Sequence, residues 1–163
     1  MADQLLLPAP LLEGWATYQE NLIQAIAPLT PDDLALRAAP QLRSIHQLLT
    51  HSIGARARWF HVVLGAQDAE TDAMQEWDAR NAPPRSASEL VQGLRATWAM
   101  IQAGLASWTA EEFIQPFRWE SDDEPPETFT RAWIIWHLIE HDLHHGGEIG
   151  FSLGMHGLRA PDI

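Results

Sequence analysis

Ala132–Glu148 reads AWIIWHLIEHDLHHGGE. Its stretch from Ala132 to Leu143 is apolar nearly all round, which predicts the most buried helix of the protein. Four of the chain's eight histidines then fall within the nine residues from His137 to His145. At about 100° per residue, with His137 at zero, His141 falls near +40°, His144 near −20°, His145 near +80° and Glu148 near +20°. One sector of an apolar helix is therefore lined with imidazoles and one carboxylate. Burying so many polar rings without partners would cost several kcal/mol, roughly, in total. Histidines at i and i+4 place two ring nitrogens one turn apart on the same face, which is the spacing for one metal ion. Both His137/His141 and His141/His145 have it.

Three further segments carry helical periodicity. Leu11 to Pro28 repeats apolar residues at Leu12, Trp15, Tyr18, Leu22 and Ile26. Ser44 to Leu64 opens on a capping-box pattern, Ser44 with Gln47, and its inner stripe is Ile45, Leu48, Ser52, Ala55, Trp59 and Val63. Ser86 to Trp108 follows, with Ser86 or Ser88 as its cap and Leu90, Leu94, Trp98, Ile101 and Leu105 on one face. The last helix starts at Thr128 or Thr130 and ends by Gly154. Thr30-Pro31-Asp32-Asp33 predicts one short helical turn. Phe117-Arg118-Trp119 is a candidate strand beside an acidic tip, ESDDEPPE. The sum is an all-α, up-down four-helix bundle, read as a single domain over residues 1–163.

Composition narrows the chemistry. A length of 163 residues with 46% hydrophobic content can bury a core without staples. The absence of cysteine excludes disulfides, thiolate metal sites and a cysteine nucleophile. Any metal must be held by His, Asp or Glu. A formal net charge of −12 repels nucleic-acid phosphates and anionic lipid. MADQLLLPAPLLEGW has no basic start and carries prolines in its apolar run, unlike a signal peptide. The expectation is a cytoplasmic protein, with small molecules or a second copy of itself as partners, and neither nucleic acid nor membrane.

Two ligands from one helix need a third from elsewhere. On the second helix, with Ile45 at zero, the inner stripe spans roughly 240° through 0° to 40°. His51 falls near its edge at about 240°, while His46 at about 100° and His61 at about 160° point away and read as surface residues. His156 lies in a tail that the pattern does not place. Arg56 and Arg58 read as a solvated face, and Glu140 as a surface carboxylate. Trp15, Trp59, Trp98, Trp133 and Trp136 occupy inner helical positions and read as core, Trp133 being the one suited to wall a pocket.

THSIGARARWF in the second helix, with HLIEHDLHHGGEIGFSLGMHG in the last, resembles the DinB/YfiT-like superfamily of metal-dependent enzymes. The resemblance implies a four-helix bundle holding a divalent ion with three histidines, here His51, His141 and His145. Zn, Ni, Fe and Mn all suit such nitrogen donors. Many relatives follow the last ligand with Arg-Gly-Gln, whereas Gly146-Gly147-Glu148 follows here. Relatives imply a thiol-dependent S-transferase, in which the metal activates a low-molecular-weight thiol cosubstrate against a small electrophile. A metal-dependent hydrolase and a non-catalytic metal-binding stress protein are the alternatives. His137, His144 and Trp133 are expected to line the pocket or support the ligands. Glu148 is the candidate general base, or the acceptor that fixes a ligand's tautomer. The apolar last helix also suggests a homodimer.

Overall fold

The computed structural model describes residues 6–121 and 125–162. It is mostly helical. Four long helices carry the architecture: α1 (Ala9–Ile26), α3 (Ile45–Arg58), α5 (Ala87–Ser107) and α7 (Arg131–Met155). Short helices α2 (Pro31–Ala35), α4 (Ala69–Asp72) and α6 (Ala110–Ile114) lie in the connections. Strands β1 (Phe117–Trp119) and β2 (Glu127–Phe129) form an antiparallel hairpin that pairs Phe117 with Phe129. The expected strand is β1. Asp122, Asp123 and Glu124 of the acidic tip lie outside the described residues, as do Met1 to Leu5. No helix among the described residues is long and apolar enough to cross a membrane.

The helix starts follow local chemistry. Ser44 Oγ accepts from Gln47 N at 3.2 Å and Gln47 Oε1 accepts from Ser44 N at 3.0 Å, closing the capping box. Ser86, not Ser88, caps α5 in the same way with Glu89. Thr130 caps α7 by accepting from Trp133 N at 3.0 Å. The α-helical part of the second long segment stops at Arg58 and continues as a π-helical turn, Trp59–Val63. Gly65, at φ 67°, then lets the chain leave.

Side-chain contacts fix the helix directions. Trp15 meets Asp142 and Tyr18 meets Gly146, so α1 and α7 run parallel. His51 meets His145 and Trp59 meets Trp133, so α3 and α7 run antiparallel. His46 meets Arg85, Arg56 meets Thr97 and Phe60 meets Gly104, so α3 and α5 are parallel. The order is thus up-down-down-up, a refinement of the bundle expected from the sequence. The long stretch from Leu64 to Ser86 returns the chain to the end where α3 began, which a tight turn could not do.

The core joins Ile26, Ile45, Leu49, Ile53, Leu90, Leu94, Ile101, Ile134, Ile135, Leu138 and Ile149. The expectation that α7 is the most buried helix needs correction, since α3 buries a larger share of its residues. The outer side of α7 leaves Trp136, Leu143, Phe151 and Met155 about half exposed or more. In a four-helix bundle each helix covers only its inward sector, and apolar residues beyond it stay wet. Trp133 and Trp136 are accordingly exposed, whereas Trp15 is core.

Candidate metal centre

His51 comes from the middle of α3, His141 and His145 from successive turns of α7. The antiparallel packing of those helices brings the three imidazoles together, tilted or edge-on to one another. Nε2 of His51 and Nε2 of His141 are 3.3 Å apart. One ligand atom from each of the three residues lies within 4.8 Å of the others. Tetrahedral bonds of about 2.0–2.1 Å to nitrogen imply an edge of about 3.3–3.4 Å between donors, so the His51–His141 pair already has the span an ion requires. This histidine group could hold a metal ion.

Carboxylates set the tautomers. His51 Nδ1 donates to Asp78 Oδ2 at 2.8 Å, leaving Nε2 as its free lone pair. Asp78 is in turn gripped by Arg58, Nη1 to Oδ1 at 2.7 Å and Nη2 to Oδ2 at 2.9 Å. Burial pushes the Asp78 carboxyl up, but hydrogen bonds from Arg58 and His51 outweigh it and hold the group below its ordinary value. His145 Nδ1 donates to Glu148 Oε2 at 2.6 Å, which frees its Nε2 likewise. Nδ1 of His141 is buried without a hydrogen-bond partner among the described residues. Burial, reinforced by His145, His51, His137 and Arg56, pushes His141 down to about 3. Burial also lowers His145, against the opposing pull of Glu148. Rings held neutral in this way present lone pairs at neutral pH, the form a cation needs.

Beneath the cluster sits an ion pair that periodicity did not announce. Arg56 is fully buried and Asp142 3% exposed. Arg56 Nη2 lies 2.6 Å from Asp142 Oδ2, and Nε 3.0 Å from Oδ1. Trp15 Nε1 donates to Oδ2 at 2.8 Å and Gln19 Nε2 at 3.2 Å. Tyr18 donates its hydroxyl to the Asp142 carbonyl at 2.7 Å. That hydroxyl lies 1.4 Å from where a Cβ on Gly146 would stand, so only glycine fits between His145 and Gly147. The network ties α1 and α3 to the histidine-bearing turn of α7.

A cavity of about 420 Å3 opens on the cluster. His51, His141 and His137 form one side, and Trp59, Phe129 and Trp119 form an aromatic wall. The π-helical turn places Trp59 there, and the hairpin supplies Trp119 and Phe129. Trp133 stacks on His137 at 5.2 Å and on Phe129 at 5.1 Å, outside this wall. His144 is exposed, 3.8 Å from Glu148. Glu140 is exposed and meets His137 Nδ1 at 3.0 Å.

The sequence profile of the DinB family matches residues 1–163. The chain belongs to the DinB family. A crystal structure of a DinB-like protein from Bacillus cereus ATCC 10987 superposes with a TM-score of 0.70 at 20% identity, over 93% of this chain and 94% of that one. That likeness shows a shared fold. No curated protein matches the sequence.

Several expectations for this DinB-family chain need revision. Arg56 is not solvated but the most deeply buried cation, and Arg58 is fixed on Asp78. His61 is not a surface residue: its side chain is 6% exposed, with Nε2 2.8 Å from Thr71 Oγ1 and Nδ1 2.9 Å from the Ala66 carbonyl. His46 Nε2 accepts from Arg85 N at 2.8 Å. His156 lies at the end of α7, exposed, against the Arg37 carbonyl. The wheel did hold one unread signal. Arg56 falls at about 20° on α3, inside the stripe that includes Ile45. Asp78, in the long connection, carries no such periodic mark.

Proposed function

We propose that this DinB-family protein is a metal-dependent enzyme whose ligands are His51, His141 and His145, and that it transfers a low-molecular-weight thiol to a small electrophile. The observation that carries the reading is the convergence of these three imidazoles beside an aromatic cavity. A divalent ion held there would lower the pKa of a thiol or a water toward neutrality. The chain's own residues do the rest. Asp78 and Glu148 hold His51 and His145 in the tautomer that points Nε2 inward. Trp59, Phe129 and Trp119 exclude water from one side and offer flat surfaces to an apolar electrophile.

Three protein ligands leave room for a further group, as in catalytic rather than structural sites. Glu148 is well placed to take a proton as well as to hold His145, being partly exposed. Hydrolysis is the second reading, since the same donors would activate water. Pairing into a homodimer and residence in the cytoplasm belong to this reading as proposals. Sedimentation velocity checks the first.

The test is elemental analysis of protein purified without a nickel column, beside His141→Ala. About one ion per chain, lost in the variant, supports the centre, and thiol donors are then screened against electrophiles with loss of free thiol as readout. No ion in either protein, with no rise in melting temperature on adding Zn²⁺, Ni²⁺ or Mn²⁺, rejects it.

A further inference from the structure

A second cleft, of about 490 Å3, is lined in part by Asp78, the partner of His51, and shares no lining residue with the aromatic cavity. Its lining includes Arg37, Arg80, Arg85, His46 and Thr50. The one carboxylate in that lining is Asp78, whose charge Arg58 already matches. In a chain with 22 acidic residues against 10 basic ones, three arginines around one cavity mark a local reversal of the field. Arg80 has no ion pair or hydrogen bond among the described residues. Arg85 is pre-set: its guanidinium stacks over Trp77 at 4.7 Å from the ring centroid, its Nη1 lies 3.2 Å from Glu89 Oε1, outside the lining, and its Nε is buried without a partner among the described residues. Trp77 itself is locked into the notch at Gly93.

The cleft does not end at Asp78. A smaller cavity of about 130 Å3 shares Gln47, Thr50 and Asp78 with it, adds a further arginine, Arg43, and reaches His51. The two cavities therefore run from a basic chamber to the edge of His51 along the N-terminal half of α3.

We propose that this cleft binds the anionic end, carboxylate or phosphate, of a small molecule whose other end reaches the histidines. Planar guanidinium groups suit either oxyanion. Anion binding in the cleft stands on its own; the reach to the histidines rests on the metal-centre reading above. An acidic thiol would then lie with its charge among Arg37, Arg80 and Arg85 and its sulfur at the cluster.

The experiment titrates metal-stripped protein by calorimetry at low salt with succinate and, separately, with pyrophosphate. Binding of at least one is expected, and which one binds identifies the oxyanion. Arg80→Ala combined with Arg85→Met weakens it by about tenfold or more, whereas Arg118→Ala, on the exposed hairpin, leaves it unchanged. Arg80→Ala alone removes an exposed side chain without internal partners, so it reports binding even if the double variant melts early. No binding of either anion, or equal loss in Arg118→Ala, overturns the cleft as an anion site. Metal-loaded protein is then titrated with reduced glutathione and its S-methyl derivative. Tighter binding of the free thiol is the expected result. Equal affinities overturn the reach while leaving the anion site standing, and a protein that takes up no metal still gives an answer in the first titration.

Discussion

Replacing Asp142 with Asn removes one charge and almost no volume from the centre of the bundle. Arg56, fully buried, then keeps its guanidinium with no counter-charge within hydrogen-bond range. Breaking a buried pair from one side costs about 3–5 kcal/mol, because the stranded charge has lost its water and its partner together. Against a total stability of about 5–15 kcal/mol this is a large fraction. At about 2–4 °C per kcal/mol for a chain of this length, the melting temperature falls by roughly 6–20 °C. Arg56→Met/Asp142→Asn removes both charges. The amide oxygen still accepts from Trp15, so the double variant recovers much of the loss. The assay is urea unfolding of metal-free protein followed by circular dichroism, for wild type, both single variants and the double. A coupling of about 2 kcal/mol or more is expected. Additive losses, or a single-variant loss below about 1 kcal/mol, refute the claim that this pair is desolvated and mutually dependent.

Three further outcomes follow from named contacts. Gly146→Ala destabilises by about 1–3 kcal/mol through collision with Tyr18, although alanine is the better helix former, whereas Gly147→Ala, which meets nothing, stabilises by about 0.5–1 kcal/mol. Thermal melts of the two variants side by side decide it, and equal signs reject the packing argument. Asp78→Asn keeps the shape beside His51 but weakens its acceptor, and metal affinity measured by competition with a chromophoric chelator drops by about 10–100-fold. Glu89 closes the α5 capping box, and hydrogen bonds from the Ser86 backbone and side chain, helped by Arg85, lower it from 4.5 to about 2. A depressed carboxyl stabilises the fold above its unfolded value and loses that contribution as pH falls toward 2. The gap in melting temperature between wild type and Glu89→Gln is therefore constant above about pH 5 and closes in acid. A gap that widens in acid contradicts this.

Much of the fold was legible in the chain because helix formation is local. Ser44 with Gln47, Thr30 with Pro31 and the apolar repeats at three- and four-residue steps act within a turn or two, so α1, α3, α5 and α7 lie within a few residues of where periodicity puts them. The histidine stripe was legible for the same reason, since 3.6 residues per turn alone put His141 and His145 on one face. His51 was named as well, from its place at the edge of the α3 stripe and from the family resemblance, and the antiparallel packing of α3 and α7 brings it to His141 and His145. The residue that orients it was not legible, because Asp78 sits in a connection without a period to read.

The sequence by itself determined the four helices, the Ser44 capping box, the lack of any thiolate donor and the side of α7 that carries imidazole. Only the tertiary structure decided that α3 and α5 run parallel, that Arg56 and Asp142 meet in the dark, that Gly146 must yield its Cβ to Tyr18, and that arginines from separate segments share a cleft. Local rules fix which way a side chain leaves its own helix. Whether a charge there is solvated, paired or stranded depends on what another segment, dozens of residues away, brings against it.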